Sequence, residues 1–95
     1  MSDRPTPMTS EAIEEIWKAR ERLKAKTASR IGLVNAAMCH AVTCNPNLNK
    51  TATVCYYWPF KRRFKPSKTE LESLADAAAY LCAAIERILE EGGAQ

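Results

Sequence analysis

Histidine and glycine are scarce in this 95-residue sequence, which has one histidine, His40, and three glycines, two of them the adjacent Gly92 and Gly93. So few glycines exclude a glycine-rich phosphate-binding loop. No serine or cysteine lies in a recognisable nucleophile motif. Cys39 and His40, adjacent on a predicted helix, point about 100° apart, which is poor geometry for a nucleophile and its base. We therefore predict a protein that is not an enzyme and needs no cofactor.

Long apolar segments are also missing. The first seven residues carry two prolines and two charged side chains where a leader would have an apolar core, and no run approaches the ~18 apolar residues of a membrane span. We therefore expect a cytoplasmic protein with no membrane contact. In that compartment, four cysteines are more typical of free thiols or metal ligands than of a disulfide framework.

Three of the cysteines lie near the histidine, and Cys39, His40, Cys44 and Cys55 would supply the four ligands of a zinc site. The spacing argues against zinc. Four residues separate Cys39 from Cys44 and ten separate Cys44 from Cys55, at or beyond the wide end of the usual spacing for paired zinc cysteines. We predict buried free thiols and no metal, with zinc as the open alternative. Cys82 is expected to pack as a small apolar side chain in the last helix.

Length and composition indicate one folded domain. Hydrophobic residues make up 46% of the chain and charged residues 26%, which is typical of a globular protein, and 95 residues do not suffice for two cores. We assign a single mostly helical domain to residues 9–92, between a flexible tail at residues 1–8 and a short tail at residues 93–95.

The first half of this domain mixes helix and strand signals. Thr9 or Ser10 is a suitable cap for a first helix. Carboxylates in the first turns of this helix interact favourably with the positive end of the helix dipole. Residues 28–44 are ambiguous between helix and strand, and we take them as helix to about His40. Residues 41–44 and 51–58 then flank a turn-rich stretch at 45–50 and predict a short β-hairpin. The expected fold is a small, mostly α, single-domain helical arrangement with this hairpin before a capped C-terminal helix.

The C-terminal helix has the clearest signals. Ser67 and Glu70 fit a capping box, and Gly92 marks the end. The sequence has apolar residues at 3-4-3-4-3 spacing, namely Leu71, Leu74, Ala78, Leu81, Ile85 and Ile88. This stripe has two interpretations. It is either the side of the helix that packs on the rest of the domain, or a seam that pairs with a second copy in a homodimer.

One segment concentrates both rings and positive charge. The basic-aromatic segment, residues 56–65, holds five of the seven aromatic residues and four of the fourteen basic residues. The charge is also uneven along the chain, since residues 1–68 carry a net +8 and residues 69–95 a net −5. Such a segment suits stacked bases with phosphates, an acidic patch on another protein, or the protein's own core with Tyr56, Trp58 and Phe64 buried and a solvated basic rim.

These features predict a small non-enzymatic regulatory or inhibitory protein that binds another protein through the basic-aromatic segment. Such a protein would suit a bacterium or phage as an accessory factor. The alternative is a small DNA- or RNA-binding protein that uses the same segment, with the cations, including Lys68, on phosphates. For either partner, the predicted binding residues are Tyr57, Trp58, Phe60, Lys61, Arg62, Arg63 and Lys65.

Overall fold

The structure, a computed structural model, describes residues 9–23 and 29–92, so the predicted tails at residues 1–8 and 93–95 lie outside the described residues. Within the described residues, four helices follow one another: α1 (Ser10–Leu23), α2 (Arg30–Val42), α3 (Lys50–Tyr57) and α4 (Glu70–Glu90). α4 packs against both α1 and α2, and α3 packs on α2. The prediction of a mostly α protein is confirmed.

The predicted β-hairpin is wrong, because no strand occurs in the described residues and the second hairpin strand is helix α3. The Asn49 side chain caps α3 by accepting a hydrogen bond from the Ala52 amide at 2.9 Å. The Thr53 hydroxyl donates back to the Asn49 carbonyl at 2.9 Å. Just before this cap, the Asn47 amide donates to the Asn45 side chain at 3.0 Å, which forms a tight turn. Capping and packing therefore outweigh the β-branched residues that favoured a strand.

The ambiguous stretch at residues 28–44 is helical from Arg30 to Val42, two residues beyond the predicted end at His40. Ser29 caps α2 by accepting from the Gly32 amide at 3.0 Å. Thr9 caps α1 in the same way, through the Ala12 amide at 3.1 Å, so one of its two predicted caps is confirmed.

The start of α4 differs from the prediction. Thr69, not Ser67, is the cap, since its hydroxyl accepts from the Glu72 amide at 3.1 Å. Ser67 lies outside the helix, and its hydroxyl bonds with side chains of the core instead. The predicted stop at Gly92 is confirmed, because this residue has a φ of 110°, a left-handed conformation that favours glycine.

The core is built mainly from alanine. Between α2 and α4 the buried residues are Leu33, Ala36, Ala37, Ala77, Tyr80 and Ala84, and between α1 and α4 they are Ala19, Ala75 and Ala79. Because alanine side chains are small, the helix backbones approach closely, and few large side chains are needed to fill the space between the helices. Tyr80 and Leu33 are the largest side chains that are fully buried.

The predicted core stripe of α4 faces outward. Leu71, Leu74, Leu81 and Ile85 are exposed, while Ala78 and Ile88 are half-buried. The side of α4 that meets α2 carries Ser73, Ala77, Tyr80 and Ala84 instead. The interpretation of the stripe as intrachain core is therefore wrong, and the dimer seam stays a prediction.

We expect Leu33→Ala to lower the free energy of unfolding by about 2–5 kcal/mol, because it removes the largest aliphatic group that is fully buried. Leu48→Ala is the matched control, since Leu48 is 54% exposed in the turn before α3, and we expect it to change stability by less than ~0.5 kcal/mol. Urea denaturation followed by circular dichroism measures both. Equal midpoints for the two variants would contradict the α2 and α4 contact as the core.

Candidate binding site

The rings of the basic-aromatic segment mostly turn inward. The ring centroid of Trp58 lies 5.7 Å from that of His40 and 4.8 Å from that of Phe64. The Phe60 centroid lies 6.0 Å from that of Tyr80. Several of these pairs meet edge to face, a favoured aromatic geometry. Trp58, Phe60 and Phe64, all half-buried, thus extend the alanine core with the aromatic volume that the helices lack.

Arg62 holds the chain in place over these rings. Its guanidinium lies 4.6 Å from the Phe60 centroid and donates to the Tyr80 hydroxyl at 3.3 Å. Its backbone carbonyl accepts a hydrogen bond from Trp58 Nε1 at 2.9 Å. The part of the segment that follows α3 therefore folds back onto itself and is tied to α4, although it contains no helix or strand.

A pocket of about 550 Å³ opens beside these contacts. We call residues 58–69, between α3 and α4, the connector. Four cationic side chains of the connector and one from α1 line the pocket, together with His40, Trp58 and Tyr80. The five cations are Arg22, Arg62, Arg63, Lys65 and Lys68. Two carboxylates, Glu72 and Asp76, also line it, so the pocket has an excess of positive charge.

The floor of the pocket is a buried polar cluster around Asp76. Ser67 Oγ donates to Asp76 Oδ2 at 2.5 Å, and the other carboxylate oxygen, Oδ1, forms an ion pair with Arg22. His40 Nδ1 lies 3.4 Å from Ser67 Oγ and 3.7 Å from Asp76 Oδ2. A buried carboxylate requires such partners, because desolvation of an unpaired charge is costly. Asp76 thus joins α1, α2, α4 and the connector.

Burial lowers the pKa of His40 below its ordinary value of 6.5, against the opposing effect of Asp76 and with the help of the nearby Arg22 and Arg62 charges. His40 is therefore neutral at pH 7, and its contact with Asp76 is polar without being an ion pair. Burial also raises the pKa of Tyr80, while Arg62 opposes this effect. The Tyr80 hydroxyl keeps its proton and accepts from Arg62.

Serine, histidine and aspartate lie together here, but their order differs from that of a catalytic triad. In a triad the aspartate and the serine bind opposite nitrogens of the imidazole. In this cluster both Ser67 Oγ and Asp76 Oδ2 approach Nδ1 of His40, and the serine proton is directed to the carboxylate. The arrangement fixes the connector to the helices and does not activate the hydroxyl.

The cysteines do not gather around His40. Cys39 is buried with its sulfur 4.0 Å from the Thr53 carbonyl, and Cys55 is exposed on α3. Cys44, half-buried, lies 3.9 Å from the Glu70 carbonyl. All four cysteines are free, and Cys82 is half-buried on α4. Over residues 9–23 and 29–92, no group of three or more His, Cys, Asp or Glu side chains is placed to hold a metal ion.

The structure brings together part of the predicted binding set. Arg62, Arg63 and Lys65 line the pocket with Trp58. Phe60 packs beside them, and the other two members, Tyr57 and Lys61, are exposed without lining the pocket.

The floor of the pocket was missed by sequence reasoning. Asp76 carries a signal that could have revealed it, since it is the only charged residue between Ser73 and Ile85 in an alanine-rich helix. Its partner Arg22 carries none, because 54 residues separate the two in the chain.

Among the described helices, none combines the length and apolar character that a bilayer-spanning helix needs. Compared with protein-family models, with curated proteins and with solved structures, the chain gives no match.

We expect the protein to lose stability as the pH falls below about 6.5. The folded state disfavours the protonated form of His40, so the unfolded state binds more protons in this range and unfolding becomes easier. Between pH 7.5 and 5.5, the loss is at most about 1.4 kcal/mol for one histidine. Urea midpoints at the two pH values measure it.

His40→Gln is the control for this pH effect, because it removes the only imidazole in the chain and keeps a neutral polar side chain. We expect its urea midpoint to be nearly constant from pH 7.5 to 5.5. An unchanged loss in this variant would assign the pH dependence to other groups.

Proposed function

We propose that this protein is a small non-enzymatic regulatory or inhibitory protein that binds an acidic segment of another protein in the basic pocket. The observation that supports the proposal is the convergence of five cationic side chains from α1 and the connector on one concave surface. Concave sites with a few fixed polar groups are where proteins usually bind ligands.

The charge of the pocket is available to a partner. Arg22 is already paired with Asp76. Arg62, Arg63, Lys65 and Lys68 form no ion pair with any carboxylate of the described residues. Guanidinium and ammonium groups bind carboxylates through charge-assisted hydrogen bonds, and arginine does so in a bidentate manner. Acidic side chains of a partner therefore suit this site.

The floor of the pocket favours a defined complex over loose electrostatic attraction. Asp76, Ser67 and His40 are held by one another, and the Trp58 and Tyr80 rings are packed in the core. A rigid site loses little conformational entropy when a partner binds.

The aromatic packing also supports an acidic protein, in preference to a nucleic acid, as the partner. Single-stranded nucleic acids bind by stacking bases on exposed rings, worth about 1–3 kcal/mol per base. Trp58, Phe60 and Phe64 instead pack on one another and on His40 and Tyr80. Among the exposed rings, Tyr56 and Tyr57 lie on α3 and Trp17 lies on α1, and none of the three lines the pocket. The cations are thus better placed for carboxylates than for a stacked strand.

Charge reversal of the pocket tests this function. In the triple variant Arg63→Glu, Lys65→Glu, Lys68→Glu, three exposed cations of the pocket change sign, while Arg62 keeps its contacts with Phe60 and Tyr80. We expect affinity for a fluorescent oligoglutamate peptide, measured by anisotropy, to fall at least about tenfold, which is ~1.4 kcal/mol. Folding should be unaffected, because exposed substitutions usually change stability by less than ~0.5 kcal/mol each.

The matched control is Lys18→Glu, Lys50→Glu, Lys61→Glu, which changes the net charge equally at exposed positions that do not line the pocket. We expect this variant to retain most of the affinity. An equal loss of affinity in both variants would mean that net charge alone accounts for the effect, and it would contradict a binding site in the pocket.

Tighter binding of oligothymidylate than of oligoglutamate by the native protein would favour the nucleic-acid alternative.

A further inference from the structure

The outer face of α4 is a continuous apolar surface that nothing in the described chain covers. Five large residues on it are between 45% and 65% exposed, namely Leu71, Leu74, Leu81, Ile85 and Leu89. Ala78, Cys82 and Ile88 lie between them and are half-buried. Every residue at these positions is apolar, so from Leu71 to Leu89 the face offers a charged partner no group to pair with.

α2 extends this face. The two helices are antiparallel, because Arg30 at the start of α2 pairs with Glu91 after α4 at 3.3 Å, and Thr43 after α2 donates to Ser73 near the start of α4 at 3.1 Å. In an antiparallel pair, the residue after each contacting residue lies on the same side of both helices, since both rotate by 100° per residue.

The residues that follow the contacting positions are large and apolar on both helices. On α2, Val34 follows the buried Leu33 and Met38 follows Ala37. On α4, Leu81 follows the buried Tyr80, and Leu74 and Ile85 follow Ser73 and Ala84 in the same way. The exposed apolar surface therefore runs across both helices.

The surface is large for a monomer. α4 has 21 residues, so at 1.5 Å per residue it is about 31 Å long. The axes of packed helices lie about 8–10 Å apart, so including the flank of α2 makes the surface about 15–20 Å wide. The resulting area of about 500–600 Å² is at the upper end of apolar patches on monomers and approaches the ~800 Å² that each partner contributes to a standard interface.

We propose that a second copy of this chain covers this face, with the two α4 helices antiparallel about a two-fold axis. The 3-4-3-4-3 spacing of the stripe reads the same in both directions, so it is complementary to its own antiparallel copy. With the axis between Ala79 and Tyr80, Ala78 lies against Leu81 of the second copy, and Leu74 lies against Ile85. A small residue thus meets a large one at the centre, where two helices approach most closely.

Sedimentation equilibrium of the full chain tests the dimer. We expect the native mass to rise with concentration from the 10.6 kDa of one chain to twice that value. Leu81→Glu should remain monomeric with an unchanged helical spectrum, because Leu81 is exposed in the single chain. If this variant fails to fold, Ile85→Glu makes the same test. Leu48→Glu, at an exposed apolar residue outside the face, should still dimerise.

A native protein that stays at the one-chain mass at millimolar concentration would overturn the proposal, as would a stable mass above two chains. Dimers of Leu81→Glu and Ile85→Glu that are as tight as the native dimer would place the interface elsewhere on the molecule.

Oxidative cross-linking tests the antiparallel geometry. The double variant Leu74→Cys, Ile85→Cys should form an intermolecular disulfide, since Leu74 lies against Ile85 of the second copy. The experiment uses a Cys55→Ser, Cys82→Ala background, because Cys55 is exposed and Cys82 lies on the same face of α4. Neither single cysteine variant should give a cross-linked dimer on a non-reducing gel, because the antiparallel pair keeps each position about 16 Å along the helix from its own copy. A cross-link in a single variant would join one position to its own copy in a parallel pair and overturn the geometry.

Discussion

The close packing of α2 on α4 through alanine side chains determines where the large aliphatic and aromatic side chains of the protein lie. Ala36, Ala37, Ala77 and Ala84 are nearly fully buried at this contact, so the helices approach without space for larger side chains between them. Apart from Leu33 and Val42 of α2, which are buried, the large aliphatic residues of both helices are half-buried or exposed outside this contact. The aromatic volume comes from the connector, whose Trp58 and Phe60 pack against the alanine cluster beside Tyr80.

A single buried carboxylate joins the segments that the alanine contact leaves separate. Asp76 accepts from Ser67 of the connector, pairs with Arg22 of α1 and lies near His40 of α2. Among the ion pairs of the described residues that join the basic residues 1–68 to the acidic C-terminal residues, Arg22–Asp76 is the one with a buried carboxylate, so it is screened less than the exposed pairs Arg20–Glu86 and Arg30–Glu91. The same contacts place four connector cations, which pair with no carboxylate of residues 9–23 and 29–92, around the pocket.

The sequence predicts correctly those features that depend on neighbouring residues. It misleads where tertiary packing determines which conformation a segment adopts or which side chains are buried. The Thr9 cap, the Gly92 stop and the existence of α4 depend on nearby residues, and the structure confirms them. The hairpin prediction gave weight to alternating β-branched residues but not to the Asn49 cap. The stripe prediction took large residues as core, whereas the alanines beside them are buried. The pocket depends on the pairing of Arg22 with Asp76 across 54 residues, and although Asp76 is conspicuous in an alanine-rich helix, nothing local identifies Arg22 as its partner.

The pocket and the apolar face lie on different sides of α4. Asp76 and Tyr80 point toward the pocket, whereas Ala78 and Ile85, which lie about 140–160° around the helix from Tyr80, belong to the outer face. A dimer joined through the outer faces therefore leaves both basic pockets open and directed away from each other. With the proposed binding of acidic segments, one such dimer would hold two of them at once, so a partner with two segments would bind more tightly through effective concentration without any new contact. Dimerisation would in this way strengthen binding at a pocket that takes no part in the interface.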